Sequence, residues 1–160
     1  MNILEILAVG AVATAASDIW QQVQRPLTGI PEANWPVTGR WVLGWREGRM
    51  YDPAIGTRPS LTGEAAVGWG FHYLIGVIYG AIYLGFVYYV ANTIPTLLNG
   101  LIFGLVTLAA PFLLMKPALG GGLFGLKAPN PGKGMFLSIT AHAMFGVGLY
   151  WGELLFQHLG

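Results

Sequence analysis

The sequence contains no cysteine. Disulfides, thiolate nucleophiles and cysteine-ligated metal sites are therefore excluded, and the redox compartment leaves no trace. Charge is nearly as scarce: Asp, Glu, Lys and Arg make up 9% of the 160 residues, whereas 54% are hydrophobic. Mean hydropathy is +0.58, a value typical of polytopic membrane proteins. A net charge of +1 supplies no basic surface of the kind nucleic acid requires, so no nucleic-acid partner is expected. This length fits one domain, 1–160, with no room for a separate soluble module.

Basic residues are also missing from most of the chain. All eight fall in two polar stretches: Arg25, Arg40, Arg46, Arg49 and Arg58 in 24–64, and Lys116, Lys127 and Lys133 in 116–134. Around these lie four apolar runs, 3–23, 65–90, 97–115 and 135–156. Each is long enough to cross a ~30 Å hydrocarbon layer at ~1.5 Å per residue. Four spans place the two basic stretches on one face, and the positive-inside rule makes that face cytoplasmic. The expected fold is all-α: a multi-pass bundle of four transmembrane helices in the lipid bilayer of a bacterial inner membrane, with both termini outside. Ala11-Val12-Ala13 has the small-x-small form of a signal-peptide cleavage site. A signal peptide opens on positive charge, however, and here the charged side chain is Glu5, so the first run is read as a retained span.

Small residues mark the helix contacts. The first run is rich in Ala and Gly, Gly76-x-x-x-Gly80 lies in the second, and Gly100-x-x-x-Gly104 in the third. Gly146, Gly148 and Gly152 lie in the fourth. Such pairs let helices approach closely, and they raise the expectation of a tight bundle with a self-association face, a homodimer or a larger membrane complex. Arg25-Pro26 is expected to stop the first helix, Pro95 to begin the third and Pro111 to kink it. In the first basic stretch, Val37, Trp41 and Trp45 recur at every fourth residue. This reads either as a short amphipathic helix in the headgroup region or as a loop with Trp anchors. The second resembles a phosphate-binding loop in the spacing of Gly120 and Gly125. It has Leu126 where the lysine belongs and follows a helix, so it is read as a flexible loop against anionic headgroups.

A short echo, His72-x-x-x-Gly76-Val77 and His142-x-x-x-Gly146-Val147, suggests two repeated helical hairpins. The two histidines lie about eight residues inside their helices, or roughly 12 Å below the basic face. Asp18, Met115 and Lys116 end the neighbouring helices at that level. Ionisable groups inside a membrane default to function, and these five residues form the candidate ligand-binding layer. Structural glue is the competing reading, in which each histidine bonds a backbone carbonyl of a neighbour and Asp18 caps loop amides. Gly68 and Gly76 flank His72 by one turn, Ser138 and Gly146 flank His142, and the resulting space suits a flat ligand or another helix. Haem b or quinone held at His72 and His142 is thus the alternative, as is a metal held with Met115 or Asp18. Tyr79, Tyr83 and Glu153 are candidate pore-lining residues; the other reading puts Tyr83, Tyr88, Tyr89, Trp151 and Glu153 in an interfacial belt. No catalytic elbow or zinc helix is present, and enzymatic activity is not expected.

The combination Gly39-Arg40-Trp41, Gly48-Arg49-Met50, His72-Tyr73-x-x-Gly76, Pro111-Phe112-x-x-Met115, Pro129-Asn130-Pro131 and Ser138-x-x-x-His142 resembles a bacterial inner-membrane family, domain of unknown function 2938. The resemblance runs from about residue 30 to 152. Lys116-Pro117 stands where the family often has Gln-Pro, which adds a charge near the polar layer. The resemblance implies a four-span membrane protein and carries no established activity. The leading expectation is a protein that binds or passes a small solute or proton at a cytoplasm-facing site. The alternatives are the redox subunit and a structural membrane partner without a ligand.

Overall fold

Residues 1–159 are described by a computed structural model, and among them the chain is helical without a strand. Helix α1 (Ile3–Thr28) opens on a capping box. The Asn2 side chain accepts from the Glu5 N–H at 2.9 Å, and the Glu5 carboxylate accepts from the Asn2 N–H at 2.8 Å. Helix α2 (Trp35–Gly44) is short. Helix α3 (Glu64–Gly85) continues through a wider π turn, Phe86–Val90, and helix α4 (Leu97–Val106) opens on a second capping box at Thr96. After a break, a π turn (Pro111–Met115) and the brief helix α5 (Lys116–Ala118) extend α4, and helix α6 (Pro131–Leu159) closes the chain. Three of these segments, Ile3–Thr28, Glu64–Val90 and Leu97–Ala118, are long and apolar enough to cross a membrane. The 29-residue α6 matches them in length but carries His142 and Glu153 among its apolar residues.

The bundle is held by seams of small residues. Helix α1 packs on both α3 and α6, and α4 packs on α6. A Cβ on Gly10 would lie 2.5 Å from the Val77 Cα, and one on Gly148 would lie 2.6 Å from the Ala13 Cα. One on Gly146 would lie 2.4 Å from the Gly100 carbonyl oxygen. Only glycine allows the backbones this near, and close approach is what membrane helices gain by associating. The α3/α4 seam is instead filled with rings: Tyr79 and Tyr83 meet Phe103, and the Tyr83 hydroxyl donates to Asn99 Oδ1 at 2.7 Å. Val9, Ala13, Tyr83, Leu84, Val87, Phe145 and Leu149 make the core.

The two basic stretches meet at one end. The Asp52 N–H donates to the Ala118 carbonyl at 2.8 Å, and Pro53 lies against Gly120. Arg40 organises the longer stretch. Its guanidinium forks onto Glu64 at 2.7 and 2.9 Å and donates to the Ile55 and Arg58 carbonyls at 3.1 and 2.7 Å. The Arg58 guanidinium, hydrogen-bonded to Asp52, holds that carboxyl below the ordinary carboxylate range.

Several expectations need correction. Pro26 does not stop α1, which runs on to Thr28. A proline costs one backbone bond there, and the last turn is secured otherwise. Gly29 takes a left-handed conformation and donates to the Arg25 carbonyl, while the Gln24 side chain bonds Thr140 on α6. The first basic stretch does form a helix, but α2 lies along α3 as part of the fold, with Gly39 against Glu64 and Gly68. The glycine pairs expected to offer a self-association face are occupied by these internal seams. Tyr83 is in the core and not in an outer belt, while Tyr89 and Trp151 are exposed as a belt requires.

The seams make a sharp forecast. Gly10→Ala should destabilise the bundle by about 1–3 kcal/mol through overpacking against rigid backbone. Gly70→Ala, on the open side of α3 with nothing near the added methyl, should stabilise it by about 0.4–1 kcal/mol. Thermal unfolding in detergent, followed by helical circular dichroism, separates the two signs.

Candidate functional site

His72 is built from three helices. Its Nε2–H donates to Asp18 Oδ1 on α1 at 2.9 Å. Its ring lies on the Trp35 indole with centroids 3.7 Å apart and planes inclined by 20°, and Trp69 and Tyr73 stand at its edges. Trp35 reaches this position because α2 comes unusually close to α3: a Cβ on Gly68 would lie 1.9 Å from the Trp35 carbonyl oxygen. Asp18 is 9% exposed, and its second oxygen, Oδ2, has no hydrogen-bond partner among the described residues. A carboxylate oxygen buried without a donor is costly, and this sets Asp18 Oδ2 apart from the bonded groups around it.

His142 has different company. The Thr107 hydroxyl donates to the Gly104 carbonyl at 2.6 Å, so at 2.8 Å it accepts from His142 Nδ1–H. That assignment leaves Nε2 of the neutral ring as an acceptor. Thr107 sits at the break in α4. Pro111, four residues on, has no N–H to give the Thr107 carbonyl, which takes the Ala110 N–H at 3.2 Å instead. One turn before His142, Ser138 accepts from Lys116 Nζ at 3.2 Å and donates to the Gly134 carbonyl at 2.8 Å. The Lys116 ammonium also lies 4.5 Å from the centre of the Phe112 ring. Met115 is half-buried at the end of the π turn.

The structure thus divides the expected layer in two. Asp18 and His72, with Trp35, form one unit between α1, α2 and α3. His142 with Thr107, and Lys116 with Ser138, form another between α4 and α6. Helix α6 meets α1 at Gly148 against Ala13 and Ala16. His142, six residues nearer the basic end, is therefore within about one turn of Asp18 along the axis. No hydrogen bond joins the two units. Spaces that suited a flat ligand are filled by the chain itself: Trp35 over His72, Thr14 at Gly76 and Gly100 at Gly146. His72 also has Nε2 committed to Asp18, so the pair does not fit axial haem ligation. No cluster of three or more metal-ligating His, Asp or Glu side chains occurs among the described residues.

Tyr79 packs on Phe103 and Phe145, and Tyr83 is fully buried. Tyr79 also borders an apolar cavity of about 420 Å³ shared with Phe103 and Thr107. Glu153 lies at the far end of the bundle and is buried there, bonded to Tyr88 and Gln157. Three residues beyond the expected set matter here: Trp35, Thr107 and Glu5. Trp35 carried a signal, because it follows Asn34 and precedes Pro36, an N-cap and a first-turn proline that mark the start of a helix, and Glu5 carried one in its capping-box spacing from Asn2.

The division is measurable by double-mutant cycles on unfolding. Asp18→Asn and His72→Gln should couple by about 0.5–3 kcal/mol, as contacting groups do, whereas His72→Gln and His142→Gln should add within about 0.5 kcal/mol. Strong coupling between the two histidines would instead join the units.

Comparison with curated proteins gave no match, and comparison with solved structures gave none. The family model described as "Protein of unknown function (DUF2938)" matches residues 7–156. It takes in Asp18, His72, His142 and nearly all of the helical bundle. The chain belongs to that family.

Proposed function

We propose that this is a four-span protein of the bacterial inner membrane, with the basic end in the cytoplasm, that binds a proton at the Asp18–His72 pair. The observation that carries the reading is the Asp18 carboxylate: buried, paired through one oxygen to a histidine, and unpartnered at the other. A carboxylate and an imidazole in contact share protons between coupled states, and a membrane setting makes either charge costly alone. Of the two occupants considered, a proton suits the site better than a solute. The Trp35 indole covers the His72 face, and α2 closes the side of α3 on which a larger ligand would enter.

Binding is favoured over passage through the single chain. Tyr83, Phe145 and Leu149 fill the core beyond the polar layer, so a route across would need a second copy or a larger membrane complex. The orientation is supported by the meeting of the two basic stretches at one bundle end and by the positive-inside rule. The fourth span is supported by the length of α6 and its packing between α1 and α4.

Infrared difference spectra of the reconstituted protein across a pH step should contain a carboxyl band that is lost in Asp18→Asn and displaced in His72→Gln. A spectrum that neither variant alters removes Asp18 as the proton site. Orientation is checked separately: a periplasm-active reporter fused at the C-terminus should be active, and the same reporter inserted after Lys127 should be silent. The reverse pattern would put the Asp18–His72 pair on the other face.

A further inference from the structure

Helices α3 and α4 are tied by the Tyr83–Asn99 hydrogen bond, but nearer the basic end a cavity of about 420 Å³ lies between them. Tyr79 and Ile82 of α3 form one wall, and Phe103, Thr107, Ala110 and Leu113 form the other. The second wall is the stretch in which α4 loses its regularity. The Leu108 N–H donates to the Leu105 carbonyl at 3.2 Å, the Ala110 N–H donates to the Thr107 carbonyl at 3.2 Å, and Pro111 has no N–H to give. Both walls belong to segments long and apolar enough to cross a membrane. At membrane depth, irregular backbone is tolerated where it is buried or lines a cavity, and broken helices of this kind build binding sites.

The lining is uncharged, and its polar side chains are Tyr79 and Thr107. Thr107 is fully engaged, its hydroxyl donating to the Gly104 carbonyl and accepting from His142. The Tyr79 hydroxyl has no partner among the described residues, and it keeps accessible surface. From Glu64 to Tyr79 the helix rises about 22 Å, out of roughly 40 Å for the whole segment Glu64–Val90. The hydroxyl therefore sits near the middle of the span. Lipid tails carry no acceptor there, and an unbonded hydroxyl in hydrocarbon is costly.

These features select the occupant. An ion would find no counter-charge in the lining, and an acyl chain would leave the hydroxyl unbonded. A neutral molecule with a carbonyl oxygen accepts from Tyr79 and sets its apolar body against Phe103 and Leu113. We propose that this cavity binds an uncharged, lipid-soluble carbonyl compound, with its oxygen on the Tyr79 hydroxyl. The site is separate from the Asp18–His72 pair, since Tyr79 lies two turns of α3 beyond His72 and bonds neither residue.

The test uses the full chain in phosphatidylcholine nanodiscs, illuminated with benzophenone, an uncharged ketone that inserts into neighbouring C–H bonds. Labelled residues are mapped by mass spectrometry. Saturable labelling is expected at Ile82, Val106 and Leu113, all in the cavity lining. Acetophenone should suppress it at least about threefold more effectively than ethylbenzene, which lacks the oxygen, at equal mole fraction in the bilayer. Tyr79→Phe keeps the ring against Phe103 and Phe145 and should erase that difference. Ala110→Leu, which fills the cavity without touching Tyr79, should cut the labelling about tenfold. His72→Gln should leave it unchanged, so this proposal and the Asp18–His72 reading fail separately. The proposal is overturned if labelling does not saturate or spreads evenly over the lipid-facing helices, as an acyl-chain groove would give. It is overturned equally if no label enters the cavity, as where a second copy closes it, or if Ala110→Leu labels as the parent does. Equal competition by acetophenone and ethylbenzene in the parent, or a difference that survives in Tyr79→Phe, also overturns it.

Discussion

In hydrocarbon, helices gain little by burying leucine against leucine, because the solvent is as apolar as the side chain. Association then depends on how near the backbones can come, and this bundle depends on that approach at all of its seams but one. Gly10 and Gly76 let α3 onto α1, Gly148 and Gly152 let α6 onto α1, and Gly100, Gly104 and Gly146 bring α4 and α6 together. The seam without such glycines, between α3 and α4, is spaced by Tyr79, Tyr83 and Phe103 and tied by the Tyr83–Asn99 hydrogen bond.

The same constraint sets the chemistry. Gly39 and Gly68 allow α2 to lie on α3 closely enough for Trp35 to cover His72, leaving the ring one strong polar partner, Asp18. On the other side, Pro111 loosens α4 at Thr107, whose hydroxyl then serves both the Gly104 carbonyl and His142. A packing device and a helix break therefore decide which atom each histidine faces. Both units are small and well bonded except at Asp18 Oδ2, which concentrates the unmet electrostatic demand of the layer in one atom.

Charge is distributed asymmetrically along the bundle. The basic end is a folded platform in which Arg40 draws Glu64 and two loop carbonyls into one hub and Arg58 pairs with Asp52. The opposite end holds buried carboxylates and aromatic rings. Glu153 owes its burial to the close α1/α6 seam, where Gly152 meets Val9.

Much of the architecture was legible because it is local. Run length and hydropathy mark the spans, Pro111 marks the break in α4, and the alternation of basic and apolar stretches brings Lys116 and Arg40 to the same end. Distance along each helix was legible too, since residues counted from a helix start convert directly to rise. What the sequence could not decide was azimuth and register. A glycine pair reads alike whether it faces a neighbouring helix of its own chain or a second copy, and Tyr83 reads alike as belt or core. Only the tertiary structure paired His72 with Asp18 and His142 with Thr107, because a rotation of one helix by a single residue's ~100° would have turned either ring to another partner.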